Sequence, residues 1–253
     1  YVMGGVIGHG DAFIVRDPWG IRPAYYYYDD EIFVVPSERP VIQTAMNVTA
    51  DKIKELEPGT AMIVKKSGEI KNQMIRIPDK KSSRSFERIY FSRGTDFEIY
   101  DERKKLGEYL VPEILKAIDY DFENTVFSFI PNTSETAFYG MLKGLESYLN
   151  FYKQTKIKES KEKLSDSELK SLLELRPRVE KIAVKDAKMR TFITQDEDRN
   201  ELVQHVYDIT YGTVKDKTDT LVIIDDSIVR GTTLKQSILK ILVLKKMRRV
   251  VIS

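Results

Sequence analysis

Two adjacent carboxylates, Asp225 and Asp226, come after the apolar run Leu221–Ile224 and precede Ser227-Ile228-Val229-Arg230-Gly231-Thr232-Thr233. The apolar run reads as a strand, and Asp225–Thr233 reads as a tight loop that opens a helix. Such a junction can recognise a sugar phosphate. Free N–H groups in the loop and in the first helical turn point at an anion, and the helix dipole favours it. Gly231 lets the backbone approach closely. The hydroxyls of Ser227, Thr232 and Thr233 can donate to phosphate oxygens. Asp225 and Asp226 would repel phosphate; they suit ribose hydroxyls, or an Mg²⁺ that bridges sugar and pyrophosphate.

The elements around this junction decide whether it can work. In open α/β sheets, ligands sit at the carboxyl ends of parallel strands. Residues 86–253 alternate strand and helix signals in the required way. Strand-like runs are Glu87–Ser92, Thr125–Ile130, Lys181–Val184, Thr220–Ile224 and Val250–Ile252. Helical runs are Arg103–Ile118, with Leu106, Leu110, Ile114 and Ile118 at spacing four, then Ser134–Leu149 and Thr232–Leu244. The pattern predicts an α/β fold with a mostly parallel sheet and flanking helices. Residues 153–178, dense in Lys, Glu and Ser, predict a solvated helix pair or an exposed insertion.

Residues 1–80 read differently. Val6–Ile7, Ala12–Val15, Ala24–Tyr28 and Ile32–Val35 are short β runs punctuated by Gly, Asp and Pro. Thr60–Lys65 and Glu69–Ile75 predict a hairpin turning at Ser67–Gly68. Tyr25–Tyr28 alternate faces and read as core and sheet surface. Residues 76–85 are polar and basic, as a linker would be.

Composition removes other chemistries. The 253 residues contain no Cys and two His, His9 and His205. Disulfides, thiolate nucleophiles, iron–sulfur ligation and Cys-based zinc sites are therefore outside these residues. Lys and Arg total 41 against 39 Asp and Glu, so the balance gives no reason to expect a nucleic acid or a membrane surface. No apolar run approaches the roughly 18 residues of a membrane helix. No signal peptide is recognisable, and the expected location is the cytoplasm. Both chain ends read as cut.

The string Leu221–Thr233 resembles the phosphoribosyl pyrophosphate (PRPP) signature of the type I phosphoribosyltransferases. The likeness extends along the chain. Ile7-Gly-His-Gly10, Arg16-Asp-Pro-Trp-Gly-Ile-Arg-Pro23, Pro36-Ser-Glu38 and Leu56-Glu-Pro-Gly59 resemble the late part of an N-terminal-nucleophile glutaminase domain. Phe86–Arg93, Ile130-Pro-Asn-Thr-Ser134 and Arg190-Thr-Phe-Ile193 then come in the order found in the amidophosphoribosyltransferase family. This resemblance implies a partial glutamine amidotransferase domain with linker at 1–84. It also implies a phosphoribosyltransferase domain at 85–253, truncated at its C-terminus. It implies transfer of ammonia, from glutamine in the intact enzyme, to C1 of PRPP, giving 5-phosphoribosylamine and pyrophosphate in purine synthesis.

Carried over residue by residue, Asp225 and Asp226 match the ribose and Mg²⁺ carboxylates, and Ser227–Thr233 match the 5′-phosphate loop. Ser134 matches a hydroxyl near the metal and pyrophosphate, with Thr133 or Thr136 as alternatives. Lys188 and Arg190 match a mobile loop that closes over PRPP; their other reading is solvated loop charge. Arg16 and Arg22 read as a structural turn held by Asp17, and Trp19 as packing. The resemblance further implies a homo-oligomer inhibited by purine nucleotides. The family's nucleophilic Cys is not among these residues, and Ser85 stands where relatives can carry a Cys. The alternatives are a PRPP-binding regulatory protein or another type I phosphoribosyltransferase.

Overall fold

The computed structural model describes residues 1–78, 88, 92–160, 164–185, 207–210, 212–226 and 248–252. Cα packing separates two compact units, Tyr1–Ile99 and Tyr100–Ser253. The expected boundary at 84/85 falls outside the described residues.

The first unit is antiparallel. Strands β1 (Val2–Val6), β2 (Ala12–Arg16), β6 (Thr60–Val64) and β7 (Ile70–Met74) form one sheet in the order β1-β2-β6-β7. Strands β3 (Tyr25–Tyr28), β4 (Phe33–Val34) and β5 (Lys54–Glu55) form a second in the order β4-β3-β5. The β6–β7 hairpin pairs Val64 with Ile70. Gly68 sits in its turn at φ +89°, a conformation that costs glycine little. Ala24, Leu56 and Met62 make the core. Sequence patterning did not isolate the helix α1 (Arg39–Met46), eight residues opened by Pro40 near its start.

The Arg16–Pro23 turn is structural, as expected, but Arg16 holds it from inside as well as Asp17. Arg16 is 1% exposed. Its guanidinium donates to the carbonyls of Arg22, Leu56 and Gly20 and to Glu55 Oε1 at 2.8 Å. A buried cation is tolerable only when its donors are satisfied in this way. Asp17 Oδ1 accepts from Trp19 N, and Trp19 itself lies at the surface under the Arg76 guanidinium.

The second unit is an α/β sandwich. Strands β8 (Thr125–Phe129), β9 (Arg178–Val179), β12 (Thr220–Ile224) and β13 (Arg249–Ile252) form a four-stranded sheet in the order β13-β12-β8-β9. Every neighbouring pair is parallel. Strands β10 (Ala183–Lys185) and β11 (Tyr207–Ile209) pair separately and antiparallel. Period-two alternation divides the apolar side chains between two faces. Phe127, Phe129, Val222 and Ile224 pack on Ile114, Phe138, Met141 and Leu145 of helices α2 (Phe97–Ala117) and α3 (Glu135–Glu159). Val126, Leu221 and Ile223 pack on Ile182, Ala183 and Val214. A sheet covered on both faces explains why β8 and β12 are apolar runs.

Both helices are longer than their periodicity implied. Asp96 Oδ1 accepts from Glu98 N and Ile99 N, which starts α2 at Phe97 instead of Arg103. Arg39 in turn grips Asp96 through two hydrogen bonds of 2.8 and 2.9 Å. Helix α3 runs past Leu149 to Glu159, with Lys156 and Lys158 complementing its C-terminal dipole. It is followed by α4 (Asp166–Glu174), opened by a Ser165–Glu168 capping box. The expected helix pair over 153–178 is thus the end of α3 and α4, tied by Lys153 Nζ to the Leu173 carbonyl at 3.0 Å.

Helices α2 and α3 run in the same direction with backbones nearly touching. A Cβ on Gly107 would lie 1.7 Å from the Ala137 carbonyl oxygen, and one on Gly140 would lie 1.9 Å from that of Lys104. Only glycine fits at either place.

At the amino edge of the sheet, Arg178 clamps the fully buried Asp219 through paired bonds of 2.9 and 3.0 Å. Burial is the largest single influence and pushes the Asp219 carboxyl up, but the Arg178 hydrogen bonds, the Lys215 N–H and the charges of Arg178 and Lys215 together hold the pKa below its ordinary value. Arg178→Ala leaves that charge buried without its main partner. We expect a loss of about 3 kcal/mol, the lower end for a broken buried pair. Urea unfolding should show it as a lower midpoint with unchanged slope.

Candidate functional site

The site grows from the register of β8 and β12. Phe129 stands opposite Ile224, and Ile130 N continues the ladder to the Ile224 carbonyl at 2.9 Å. Asp225–Asp226 and Ile130–Ser134 therefore leave the carboxyl edge of the sheet side by side. This is the edge where parallel α/β sheets bind ligands.

Four buried residues, Leu221–Ile224, deliver the acid pair to a half-buried position. Asp225 Oδ1 accepts from Asp226 N at 2.9 Å. Burial, and then the hydrogen bond and charge of Asp226, push the Asp225 carboxyl up to about 6. Two partly desolvated carboxylates this close are costly to keep ionised. A cation or the hydroxyls of a sugar would relieve them.

The loop from β8 to α3 is the neighbouring wall. Ser134 is 1% exposed, and its hydroxyl donates to the Ile130 carbonyl, leaving oxygen lone pairs but no free proton. Thr133 and Thr136 beside it are partly exposed. Glu135 N turns to the Asn132 carbonyl, and the Pro131–Asn132 peptide bond is cis. Of the expected site residues, Asp225 and Asp226 stand side by side, and Ser134 lies on the loop that leaves the same edge of the sheet. Ser227, Ile228, Val229, Arg230, Gly231, Thr232, Thr233, Lys188 and Arg190 lie outside the described residues.

One group escaped sequence reasoning. Arg103, half-buried on α2, feels the charge of Asp226: burial lowers the guanidinium pKa and Asp226 opposes that shift. No spacing rule links residues so far apart in the chain.

The donor set can be tested against Mg²⁺. Among the described residues no three His, Asp or Glu side chains form a metal cluster. Mg²⁺ needs no such cage: it keeps several waters and binds through one or two carboxylates plus substrate phosphates. The Asp225–Asp226 pair fits that pattern. Among the described residues no helix is long and apolar enough to cross a membrane.

Comparison with known proteins agrees with the geometry. No family model matches the chain. It is similar to the amidophosphoribosyltransferase of Bacillus subtilis (strain 168), 26% identical over 230 residues, 88% of this chain and 39% of that protein. That of Methanocaldococcus jannaschii is 25% identical over 239 residues, 87% of this chain and 42% of that one. That of Archaeoglobus fulgidus is 29% identical over 129 residues, 49% of this chain and 26% of it. The chain thus spans about two-fifths, or less, of the length of these relatives. Among solved structures it superposes on glutamine PRPP amidotransferase from B. subtilis complexed with ADP and GMP. The TM-score is 0.66 at 24% identity, over 96% of this chain and 45% of that chain. A structure described as the allosteric regulatory enzyme of purine biosynthesis gives the same TM-score and identity over 96% of this chain and 44% of that chain. At that identity the superposition shows the fold: an α/β unit with a parallel sheet and flanking helices, preceded by the β-rich unit.

Proposed function

We propose that this chain binds PRPP at the carboxyl edge of β12 and β8, and transfers ammonia to its C1. The products are 5-phosphoribosylamine and pyrophosphate. The observation that carries this reading is the half-buried Asp225–Asp226 pair, set beside the β8–α3 loop by the Ile224–Phe129 register. The names of the relatives support the substrate and the reaction class.

In this reading Asp225 and Asp226 accept hydrogen bonds from the ribose hydroxyls and fix the sugar with C1 exposed. The 5′-phosphate goes to the N–H and hydroxyl groups of Ser227–Thr233. Lys188 and Arg190 supply cations for pyrophosphate, and Ser134, Thr133 or Thr136 lines the metal side. Mg²⁺, held by Asp225 and Asp226, would neutralise charge on the departing pyrophosphate. The nitrogen lone pair forms the new bond to C1 as the C1–O bond to pyrophosphate breaks, and the nitrogen then loses a proton to solvent. Positive charge building on the sugar is stabilised by the two carboxylates, so positioning and electrostatics carry the chemistry. Glutamine as the ammonia source, purine nucleotides as inhibitors and a homo-oligomeric assembly belong to the same proposal.

Isothermal titration with PRPP and Mg²⁺, beside a pyrophosphate-release assay offered ammonia or nucleobases, tests it. We expect binding and ammonia-dependent release. Binding without turnover would turn the reading to a PRPP-responsive regulator. Release with a nucleobase alone would turn it to another type I transferase.

A further inference from the structure

We propose that the first unit carries a binding pocket for a small carboxylate, held by Arg39, Arg93 and the hydroxyl of Tyr25. The inference stands apart from the PRPP reading, since every residue it uses lies within Tyr1–Ile99.

A cavity of about 160 Å³ opens between the Arg16–Pro23 turn and the start of α1, with Arg93, Asp96 and Glu98 also in its wall. That is room for about five waters. Charged side chains line it, so what it can bind depends on which of their hydrogen-bonding groups are already taken. Arg16 is fully engaged, by Glu55 and by three carbonyls. Asp96 is engaged too, by the Arg39 fork and by Glu98 N and Ile99 N.

Arg39 is not. Asp96 takes Nε and Nη2 at 2.9 and 2.8 Å, and Nη2 also approaches Glu98 at 3.4 Å. Nη1 has no hydrogen bond among the described residues, although the side chain is only 12% exposed. The guanidinium is held in place by two rings, its carbon 4.5 Å from the centroid of Phe97 and 5.6 Å from that of Tyr25. The Tyr25 hydroxyl also has no hydrogen bond among the described residues. Burial first, and then the charge of Glu55, push its pKa up, so it stays a donor. Glu38, at the cap position of α1, makes no bond to the helix and accepts instead from Arg93 Nε at 2.7 Å. That leaves both Nη atoms of Arg93 without a partner among the described residues, and α1 without a side-chain cap.

The capacity left over after internal pairing is therefore a set of donors around one cavity: Arg39 Nη1, the Arg93 Nη atoms and the Tyr25 hydroxyl. A carboxylate is their complement. It is planar, carries one charge and accepts from neighbouring guanidinium and hydroxyl groups at once. Phosphate suits the cavity less, because its second charge would meet Glu38 and Glu98. A simple acid and an amino acid share the carboxylate, and the ammonium of the second would face Glu98.

Isothermal titration with propionate, alanine and inorganic phosphate tests this. Propionate presents the carboxylate alone, and alanine adds the ammonium. We expect a dissociation constant on the order of 1 mM for either carboxylate, as befits so small a ligand, and no measurable binding of phosphate. Tyr25→Phe removes only a hydroxyl that has no partner in the free protein. Its thermal midpoint should be unchanged while carboxylate affinity falls about tenfold, as for a lost hydrogen bond to a charged group. Arg93→Gln, at the exposed rim, should weaken binding as well. Binding of alanine alone would narrow the class to amino acids. Failure of both carboxylates to bind, phosphate binding as tightly as they do, or full affinity in Tyr25→Phe would overturn the proposal.

Discussion

Replacing Asp225 and Asp226 together by Asn is expected to weaken PRPP binding by about 100-fold or more and to leave no measurable ammonia-dependent turnover. Each carboxylate is assigned at least one hydrogen bond from a ribose hydroxyl, and bonds to charged groups contribute about 1.5–3 kcal/mol each. Two such losses span about 10²–10⁴ in affinity. The fold should not suffer, and the single change Asp225→Asn should raise the thermal midpoint at pH 7.5. The reason is the sign of the linkage. The folded-state pKa of Asp225 is raised from 3.8 to about 6, so the native state resists ionisation at this position more than the unfolded chain does. Above pH 6 the group is charged in both states and the full penalty is present. Below about pH 4 it is neutral in both and the penalty is gone. Scanning calorimetry of the two proteins from pH 4 to 8 should show curves that meet at the acid end and separate toward neutrality. A midpoint that falls in Asp225→Asn at pH 7.5 would mean that the acid is a structural partner, and the site assignment would go with it.

The second large effect concerns packing. Gly140→Ala is expected to destabilise the chain by about 3 kcal/mol, at the upper end of the usual overpacking cost. Intrinsic propensity argues the other way, since alanine is favoured over glycine inside a helix by about 1 kcal/mol. Geometry decides the matter. The new methyl carbon would sit 1.9 Å from the Lys104 carbonyl oxygen, and no rotamer change can move a backbone atom. The helices must separate by more than an ångström, and Phe138, Met141 and Leu145 must lift from the sheet with them. Chemical denaturation should show a lower midpoint, with Gly107→Ala behaving alike because its methyl would meet the Ala137 carbonyl oxygen. Wild-type stability in Gly140→Ala would mean that the helices do not cross this closely.

Which parts of this molecule could be read from the residues depends on how locally each is encoded. The acid pair could, because one strand and the turn after it are contiguous in the chain, and four apolar residues from Leu221 to Ile224 announce both. The alternation that implies a parallel sheet could, because β8 and β12 are covered on both faces and so are mostly apolar, with Ser128, the polar residue inside β8, accepting from Ile182 N. The Arg16 turn could, since Asp17, Pro18 and Gly20 all punctuate it. Helix ends were read short where a cap or a polar extension set them: Asp96 starts α2 outside the apolar repeat, and the last ten residues of α3 bury little. The Ser165–Glu168 capping box was visible in principle as Ser followed three residues later by Glu. What stayed hidden is what distant segments do to each other. Nothing near Gly107 says that Ala137 will press on it, and nothing near Arg103 names Asp226.

The pairing of β12 with β8 sets Thr220 beside Thr125, across a stretch holding both α3 and α4. Contacts between such remote positions form late, since a long loop must close before any ladder bond compensates the lost chain entropy. The β12–β8 ladder that sets Asp225 beside the β8–α3 loop is thus expected to form after the helices that flank it. A partly folded chain would carry its helices before this sheet edge had its register.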